Sequence, residues 1–255
     1  MFLTIVIPLR NEAGNLRKLY LSLLSVLEPL NKSFEIIFVD DGSADSSFGI
    51  LEAICSEDGR VHALKFKKHF GQAQALAAGF DHARGDIVVT MDADLQHDPV
   101  DIPSFLEKIE AGYDLVCGWK KIRSDSFFSR RIPSWTANAV IRHIFKINIH
   151  DCGTTFKAYR RDILKNLRLC GGIHRFIPVL LNASGARITE IPIRYRKRES
   201  GRSHYGLSRA GRVLLDIFYV YFFLRYPESR LRVPGKSGHQ ISRIISRREN
   251  IPSAR

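Results

Sequence analysis

Short apolar runs alternate with longer amphipathic stretches along the first half of the chain. Five runs rich in Val and Ile have the length of β-strands: Phe2–Pro8, Phe34–Asp40, Val61–Phe66, Asp86–Met91 and Asp114–Gly118. The stretches between them are long enough to hold a helix each, and Leu16, Leu19 and Leu23 repeat at helical spacing. Strands that alternate with helices predict an α/β fold with a mostly parallel, Rossmann-like sheet.

The end of the chain has a different pattern. Leu207–Tyr226 carries about one helix of apolar surface, but Asp216 interrupts it, and its uninterrupted part is shorter than the roughly 20 residues that span a bilayer. We expect residues 206–227 to form an amphipathic helix at a membrane interface, with a helix that faces a protein partner and an ordinary buried helix as the alternatives. The Arg- and Ser-rich residues 228–255 predict a flexible basic tail, which leaves 1–205 as the main domain.

Composition indicates a folded protein. The chain has 255 residues, of which 45% are hydrophobic and 25% charged, as is usual for globular domains. Four cysteines lie far apart without a C-x-x-C pair, which favours free thiols in a reducing compartment: Cys55, Cys117, Cys152 and Cys170. The first apolar run has no basic residues before it and stops at Pro8, so we do not expect it to be a signal peptide.

Charge divides the chain into an acidic and a basic part. Residues 1–117 contain 10 basic and 18 acidic residues, whereas residues 118–205 contain 19 basic and 5 acidic ones, within a net charge of +13. The basic part predicts a polyanionic partner, for which nucleic acid, an anionic membrane surface and a phosphorylated substrate are the candidates.

Acidic residues follow three of the predicted strands: Glu12 after the first, Asp40 and Asp41 after the second, and Asp92 and Asp94 after the fourth. Each could cap a helix or form a turn. However, the carboxyl ends of parallel strands meet at one edge of a sheet, where like charges repel one another unless a cation or ligand is present.

The D-x-D-x-Q segment is the most informative of the three. In an extended segment alternate side chains point the same way, so Asp92, Asp94 and Gln96 can direct three oxygens at one hard cation. We therefore predict a Mg²⁺ or Mn²⁺ site that holds a diphosphate.

Five motifs in order carry a family resemblance: P-x-x-N-E (Pro8–Glu12), D-D-G-S (Asp40–Ser43), F-G-Q (Phe70–Gln72), D-A-D-L-Q-H (Asp92–His97) and H-D-C-G-T-T-F-K-A-Y-R-R (His150–Arg161). Together they resemble inverting glycosyltransferases of the GT-A fold. More narrowly, they are similar to the polyprenyl-phosphate glycosyltransferases, the group that includes dolichol-phosphate mannose synthase. The resemblance runs from about Phe2 to Tyr226.

The resemblance implies a role for each matched residue. The nucleotide site would comprise Pro8, Arg10, Asn11, Glu12, Asp40, Asp41, Gly71, Gln72, Asp92 and Ala93. The metal ligands would be Asp92, Asp94 and Gln96, and the acceptor phosphate would be bound by Lys120, Arg130, Ser134 and Arg198. Asp94, Lys120, Arg130 and Arg198 would form the catalytic set. The chain departs from the family at Lys120, where Arg is frequent, and at His204, where Lys is frequent.

The implied reaction is transfer of a sugar, with inversion, from a UDP- or GDP-sugar to polyprenyl phosphate. Such an acceptor is already an anion and needs little help from a general base. The protein would then lie at the cytoplasmic face of the membrane as a peripheral enzyme, bound to an anionic membrane surface and not to nucleic acid. For His150 beside Asp151, a structural histidine is favoured over an acid–base pair.

Two other functions remain open. A glycosyltransferase acting on a soluble glycan or a protein hydroxyl would need a carboxylate base, for which the basic part offers Asp125, Asp151, Asp162, Glu190 and Glu199. A basic protein that only binds nucleic acid or membranes would account for the positive charge. It would leave the acidic strand ends without a purpose.

Overall fold

The computed structural model describes residues 2–121, 132–165, 167, 169, 173–196, 208–225 and 241–245. The strands are β1 (Leu3–Leu9), β2 (Phe34–Asp40), β3 (Val61–Phe66), β4 (Ile87–Thr90), β5 (Leu115–Trp119), β6 (Lys157–Arg160), β7 (Ile188–Pro192) and β8 (Ile241–Ile245). The α-helices are α1 (Ala13–Leu27), α2 (Ser47–Glu57), α3 (Gln72–His82), α4 (Ile102–Glu110), α5 (Ile132–Phe145), α6 (Ile177–Ala183) and α7 (Ser208–Arg225). Short 3-10 turns lie at Glu28–Leu30, Pro99–Asp101, Arg161–Leu164 and Ile173–Phe176.

The strands form one sheet in the order β7-β5-β6-β4-β1-β2-β3-β8. Strands β4, β1, β2 and β3 are parallel neighbours, and β5 is parallel to β7. Strand β6 runs antiparallel between β4 and β5. Every residue of β1 and β2 is buried, because helices cover both faces of the sheet, as parallel strands require. The predicted mostly parallel α/β fold is confirmed.

The sheet separates two apolar layers, and β1 contributes alternate residues to each. Ile5 and Ile7 pack in one layer with α1, α2 and α4, whereas Val6 packs in the other with α3. Helix α3 approaches β1 very closely, since a Cβ atom at Gly79 would lie 2.2 Å from Cγ1 of Val6. Glycine at this position of the helix therefore permits α3 to pack directly against β1.

Helix α7 packs against α5 and the Ile173–Phe176 turn. Ile217 and Val220 are buried, while the side chains of Phe218 and Phe222 are 63% and 48% exposed. The helix thus has one face in the core and one aromatic face in solvent. No helix within the described residues combines the length and apolar character needed to cross a bilayer.

Strand β8 lies in the tail that we expect to be flexible. It pairs antiparallel with β3, Ser242 Oγ donates to the Lys65 carbonyl oxygen (3.0 Å), and Arg243 forms an ion pair with Glu52 (2.5 Å). Five residues of the predicted tail therefore form a strand, and the flexibility of residues 228–255 stays a prediction. The edge of β3 offers unpaired backbone groups, and β8 satisfies them.

Candidate active site

The carboxyl ends of β1, β2, β4 and β5 lie at the same edge of the sheet. In the parallel register Leu9 is opposite Asp40, and Val6 is opposite Thr90. Strand β5 is antiparallel to β6, which is antiparallel to β4, so Lys120 after β5 emerges at this edge too. The acidic motifs and the first predicted phosphate-binding residue are thereby brought together, where ligands bind in sheets of this kind.

Asp40, the last residue of β2, is completely buried. Its Oδ1 atom accepts a hydrogen bond from the Ser43 backbone N–H (2.8 Å), but its Oδ2 atom has no hydrogen-bond partner within the described part of the chain. A buried carboxylate oxygen without a donor is costly. Asp40 is therefore an acceptor that suits an N–H group from a ligand.

Asp41 has both carboxylate oxygens occupied by the loop before α3. Oδ1 accepts from the Phe70 N–H (2.7 Å), and Oδ2 accepts from the Gly71 N–H (2.9 Å) and contacts His69 Nδ1 (2.7 Å). Gly71 has a φ of 97°, and a Cβ there would meet nothing within 4 Å. Asp41 thus shapes this loop and leaves open space at Gly71, while its direct contact with a nucleotide stays a prediction.

The residues after β1 brace the loop after β2. Asn11 adopts a left-handed φ of 55° and accepts from the Ala44 N–H (2.9 Å), while its own N–H donates to Ser43 Oγ (2.9 Å). The Glu12 N–H donates to Ser47 Oγ (2.9 Å). Pro8 is buried in β1 and Arg10 is exposed beside this loop. The first two motifs are therefore joined to each other by hydrogen bonds.

The D-A-D segment follows β4 directly. Asp92 Oδ1 accepts from the Gln72 side-chain amide (2.9 Å), and Asp94, which is 7% exposed, accepts from the Gln96 N–H (3.2 Å). Ala93 between them is buried. Leu95 has a φ of 60°, which is unusual for a non-glycine residue and turns the chain sharply after the second carboxylate.

Among the residues that the structure describes, no three His, Cys, Asp or Glu side chains come together as a metal site. The donor set nevertheless fits Mg²⁺ or Mn²⁺, since such ions are bound in nucleotide sites by one or two carboxylates together with substrate phosphates and water. Asp92 and Asp94 would supply the carboxylates. Gln96 donates its amide N–H to the Arg196 carbonyl oxygen (3.2 Å), and its predicted ligation through the amide oxygen stays a prediction.

His97 lies under this segment and is only 2% exposed. Burial, and then the charge of Lys120, lower the pKa of His97 to about 3, whereas Asp94 and Asp151 act in the opposite direction. The imidazole is therefore neutral. The charged groups that change its pKa come from three separate segments of the chain. His97 therefore lies where the acidic and basic parts of the site meet.

The basic side begins at Lys120. Its Nζ atom lies 3.7 Å from Asp151 Oδ2 and 5.0 Å from the centre of the Tyr195 ring. Of the other predicted phosphate ligands, Arg130 and Arg198 lie outside the described residues. Ser134 lies in α5, where its side chain is not described.

His150 and Asp151 contact different side chains. His150 stacks on Trp119 with ring centres 4.5 Å apart, and both its backbone N–H (2.7 Å) and its Nδ1 atom contact Glu190. Asp151 contacts Lys120 instead. These partners support the structural interpretation of His150.

Comparison with known proteins decides the family. Residues 4–168 match the family described as Glycosyl transferase family 2. The chain belongs to this family. The family resemblance that the five motifs carry is thereby confirmed, and the enzyme class is that of a glycosyltransferase.

Two curated relatives show how far the similarity extends. The chain is 40% identical over 228 residues to a dodecaprenyl-phosphate galacturonate synthase from Rhizobium johnstonii, covering 88% of this chain and 68% of that protein. It is 37% identical over 217 residues to an undecaprenyl-phosphate 4-deoxy-4-formamido-L-arabinose transferase from Edwardsiella ictaluri, covering 85% and 66%. The chain thus spans about two thirds of the length of these relatives.

Solved structures agree on the fold. Glucosyl-3-phosphoglycerate synthase from Mycobacterium tuberculosis, in complex with Mn²⁺, uridine diphosphate and phosphoglyceric acid, superimposes with a TM-score of 0.64 at 18% identity, covering 87% of this chain and 78% of that one. The same enzyme in complex with Mg²⁺ and uridine diphosphate gives a TM-score of 0.63 and covers the same fractions of the two chains. The glycosyltransferase fold of this chain is GT-A, as the motifs predict.

Sequence reasoning missed several residues of this glycosyltransferase site. His69 contacts Asp41, and His97 contacts Asp92. Lys157 is buried, and its ammonium group donates to the carbonyl oxygens of Cys152 (3.2 Å) and Thr154. Burial lowers the pKa of Lys157. His97 and Lys157 stand within quoted motifs, but only the tertiary contacts reveal what they do.

The cysteines that the structure describes lie in the core. The described ones, Cys55, Cys117 and Cys152, are buried free thiols. Burial raises the pKa of Cys152 to about 12 and that of Cys117 still further. These thiols therefore stay protonated and unreactive at neutral pH.

Proposed function

We propose that the chain transfers a sugar from a UDP- or GDP-sugar to polyprenyl phosphate, with inversion at the anomeric carbon. One observation carries the proposal: the Asp92–Asp94 carboxylates and Lys120 project from one edge of the sheet, around the buried His97. The relatives named above carry dodecaprenyl- and undecaprenyl-phosphate in their names, which supports a lipid phosphate as acceptor.

The donor would bind at the acidic ends of β1, β2 and β4. Asp40 Oδ2 offers an acceptor for an N–H group of the base, and the open space at Gly71 allows the nucleotide to approach the backbone. Asp92 and Asp94, with Gln96 as the predicted third ligand, would hold a divalent cation. When bound, that cation supplies positive charge to the diphosphate of the donor.

The acceptor would bind on the basic side. Lys120, with Arg130 and Arg198 as predicted, neutralises the lipid phosphate and holds one of its oxygens in line with the anomeric carbon. A bond forms from that oxygen to the anomeric carbon as the bond to the nucleotide diphosphate breaks. No proton has to be removed, because the nucleophile is already an anion. One displacement inverts the configuration.

Transfer to a hydroxyl group is the second candidate, and the described carboxylates weigh against it. A hydroxyl acceptor requires a general base. Asp151 lies beside Lys120, Asp162 pairs with Lys165, and Glu190 holds His150. Each of these carboxylates already faces a basic side chain, which disfavours its taking up a proton. Asp125 and Glu199 lie outside the described residues.

We further propose that α7 contacts an anionic membrane surface at the cytoplasmic face. Its exposed aromatic residues Phe218, Tyr221 and Phe222, with Arg225 at the end, suit an interfacial helix. Co-sedimentation with vesicles containing anionic phospholipid tests this. Replacing Phe218 and Phe222 by Ser should reduce the bound fraction, and an unchanged fraction would contradict a membrane role for this face.

The decisive experiment measures transfer of radiolabelled sugar from a panel of UDP- and GDP-sugars into organic-extractable lipid, with polyprenyl phosphate and Mg²⁺ or Mn²⁺ present. We expect label in the lipid phase with one donor. Asp94→Ala should reduce the rate by roughly 1,000-fold, because the charge on the leaving diphosphate is no longer neutralised. Asp81→Ala, on the exposed side of α3, is the matched control and should retain activity.

Unchanged activity of the Asp94 variant with chelator present would refute the metal mechanism. Label found only in water-soluble product would favour the hydroxyl acceptor.

A further inference from the structure

His97 closes the D-A-D-L-Q-H segment on its buried side. Its Nδ1 atom accepts a long hydrogen bond from the Asp92 backbone N–H (3.4 Å) and lies 3.8 Å from Asp92 Oδ2. The ring packs on Phe156 and Tyr195, with ring centres 5.2 and 5.9 Å away, and the backbone of His97 forms a β-bridge with Tyr195. The segment is therefore tied to the chain that enters the basic side of the site.

The hydrogen bond fixes the tautomer of this imidazole. Since Nδ1 accepts, the ring proton is on Nε2. Nε2 is buried and has no hydrogen-bond partner within the described residues. A phenylalanine would fill the same apolar pocket without burying an unpaired donor. Packing alone thus does not explain a histidine here, whereas the Nδ1 contact to Asp92 does.

The segment needs such a hold because its backbone is strained. Leu95 has a left-handed φ of 60°, a conformation that persists in a non-glycine residue only where its surroundings impose it. On the far side of Leu95, the Arg196 N–H donates to the Gln96 carbonyl oxygen (2.9 Å). On the N-terminal side of Leu95, the Asp92 N–H donates to His97 Nδ1.

We propose that His97 is a positioning residue: through Nδ1 it fixes the backbone of Asp92 and so directs the Asp92 and Asp94 carboxylates at the cation that accompanies the donor diphosphate. The inference rests on the proposed function. In this role His97 does not contact the substrate. It orients a metal ligand, as residues that hydrogen-bond metal ligands generally do.

Three variants separate this role from packing. Asn places its Oδ1 atom near the position of His Nδ1, Gln places its amide near Nε2, and Phe retains only the ring. His97→Asn should therefore keep the contact to Asp92, whereas His97→Gln and His97→Phe should lose it. His82→Asn, on the exposed end of α3, is the matched control.

The measurement is the affinity of the full chain for Mn²⁺, by electron paramagnetic resonance, in the presence of saturating UDP or GDP. Nucleotide affinity in EDTA and thermal unfolding are recorded alongside. We expect His97→Gln and His97→Phe to weaken Mn²⁺ binding roughly 10- to 100-fold. His97→Asn should stay within about threefold of wild type, and affinity in EDTA should not change.

Wild-type Mn²⁺ affinity in all folded variants would overturn the proposal, and so would a folded His97→Asn variant as weak as His97→Gln. If the Phe variant does not fold, the comparison of Asn with Gln decides. If wild-type protein binds neither nucleotide in a Mn²⁺-dependent way, the proposed function fails first, and the role of His97 fails with it.

Discussion

Strand β2 carries a buried carboxylate near each end, and the two have opposite surroundings. Glu35, near its start, accepts from Thr4 Oγ1 (2.7 Å) and from the Arg84 backbone N–H (2.8 Å) and guanidinium (2.6 and 2.8 Å). Asp40, at its end, receives one backbone hydrogen bond, and its other oxygen has no partner among the described residues. Both are at most 1% exposed.

The difference in hydrogen bonding distinguishes a carboxylate that stabilises the fold from one that suits ligand binding. Burial raises the pKa of Glu35, but hydrogen bonds from His62, Arg84 and Thr4 outweigh it and lower the pKa to about 2. Glu35 therefore ties β1, β2 and the start of β4 together as a satisfied anion. Asp40 lacks this compensation within the described residues, which suits an acceptor for a donor group of a ligand.

The largest effect is expected at the structural end. Glu35→Ala should lower the free energy of unfolding by about 3 kcal/mol, because Thr4 and the Arg84 backbone lose their common acceptor inside the protein. Denaturant titration measures this. Glu57→Ala, which removes an exposed ion pair with Arg17, is the control and should cause no measurable loss. Equal effects of the two substitutions would remove the distinction between buried and exposed carboxylates.

The binding end should respond in the opposite way. Asp40→Asn keeps an oxygen for the Ser43 N–H but places an amide donor where the unpaired oxygen was. Nucleotide affinity, measured by calorimetry, should fall roughly 10- to 100-fold. The free energy of unfolding should stay the same or rise, since the buried oxygen that has no donor among the described residues is gone. Asp81→Asn is the control. A large loss of stability with unchanged nucleotide affinity would make Asp40 a second structural carboxylate.

The most gradual effect is a dependence of stability on pH. The pKa of Glu35 is about 2 in the folded protein and about 4.3 in the unfolded chain, so between these values the unfolded state binds the extra proton. Its contribution is complete above about pH 4.3 and is lost as pH falls towards 2, by at most about 1.4 kcal/mol per pH unit. Glu35→Gln should flatten the acid limb of an unfolding titration by this amount. An unchanged limb would show that Glu35 is not the group responsible.

The elements were largely predictable from the chain. The runs predicted at Phe34–Asp40 and Val61–Phe66 coincide with β2 and β3, because apolar residues dominate strands that lie mostly in the interior. Strand β8 was not predictable in this way. It is a five-residue segment with three isoleucines inside an Arg- and Ser-rich tail, and it pairs with the edge that β3 offers.

The candidate site was predictable as a set of residues but not as a set of contacts. The motifs identify Asp40, Asp41, Asp92 and Asp94 as one group, and parallel strands bring them to one edge. No sequence pattern distinguishes Asp40 from Asp41. In the part of the chain that the structure describes, one Asp40 oxygen has no partner, whereas both Asp41 oxygens are occupied by the His69–Gly71 loop.

The sequence alone determined the strand and helix pattern, the family and the position of the acidic motifs after the strands, because these depend on local periodicity and on residues close together in the chain. The tertiary structure decided which carboxylates are satisfied and which remain available, and it placed Glu190 on His150 and His97 beneath Asp92. Such contacts join residues that are distant in sequence or meet only across a tight turn. Whether a buried polar atom has a partner depends on packing that periodicity does not encode.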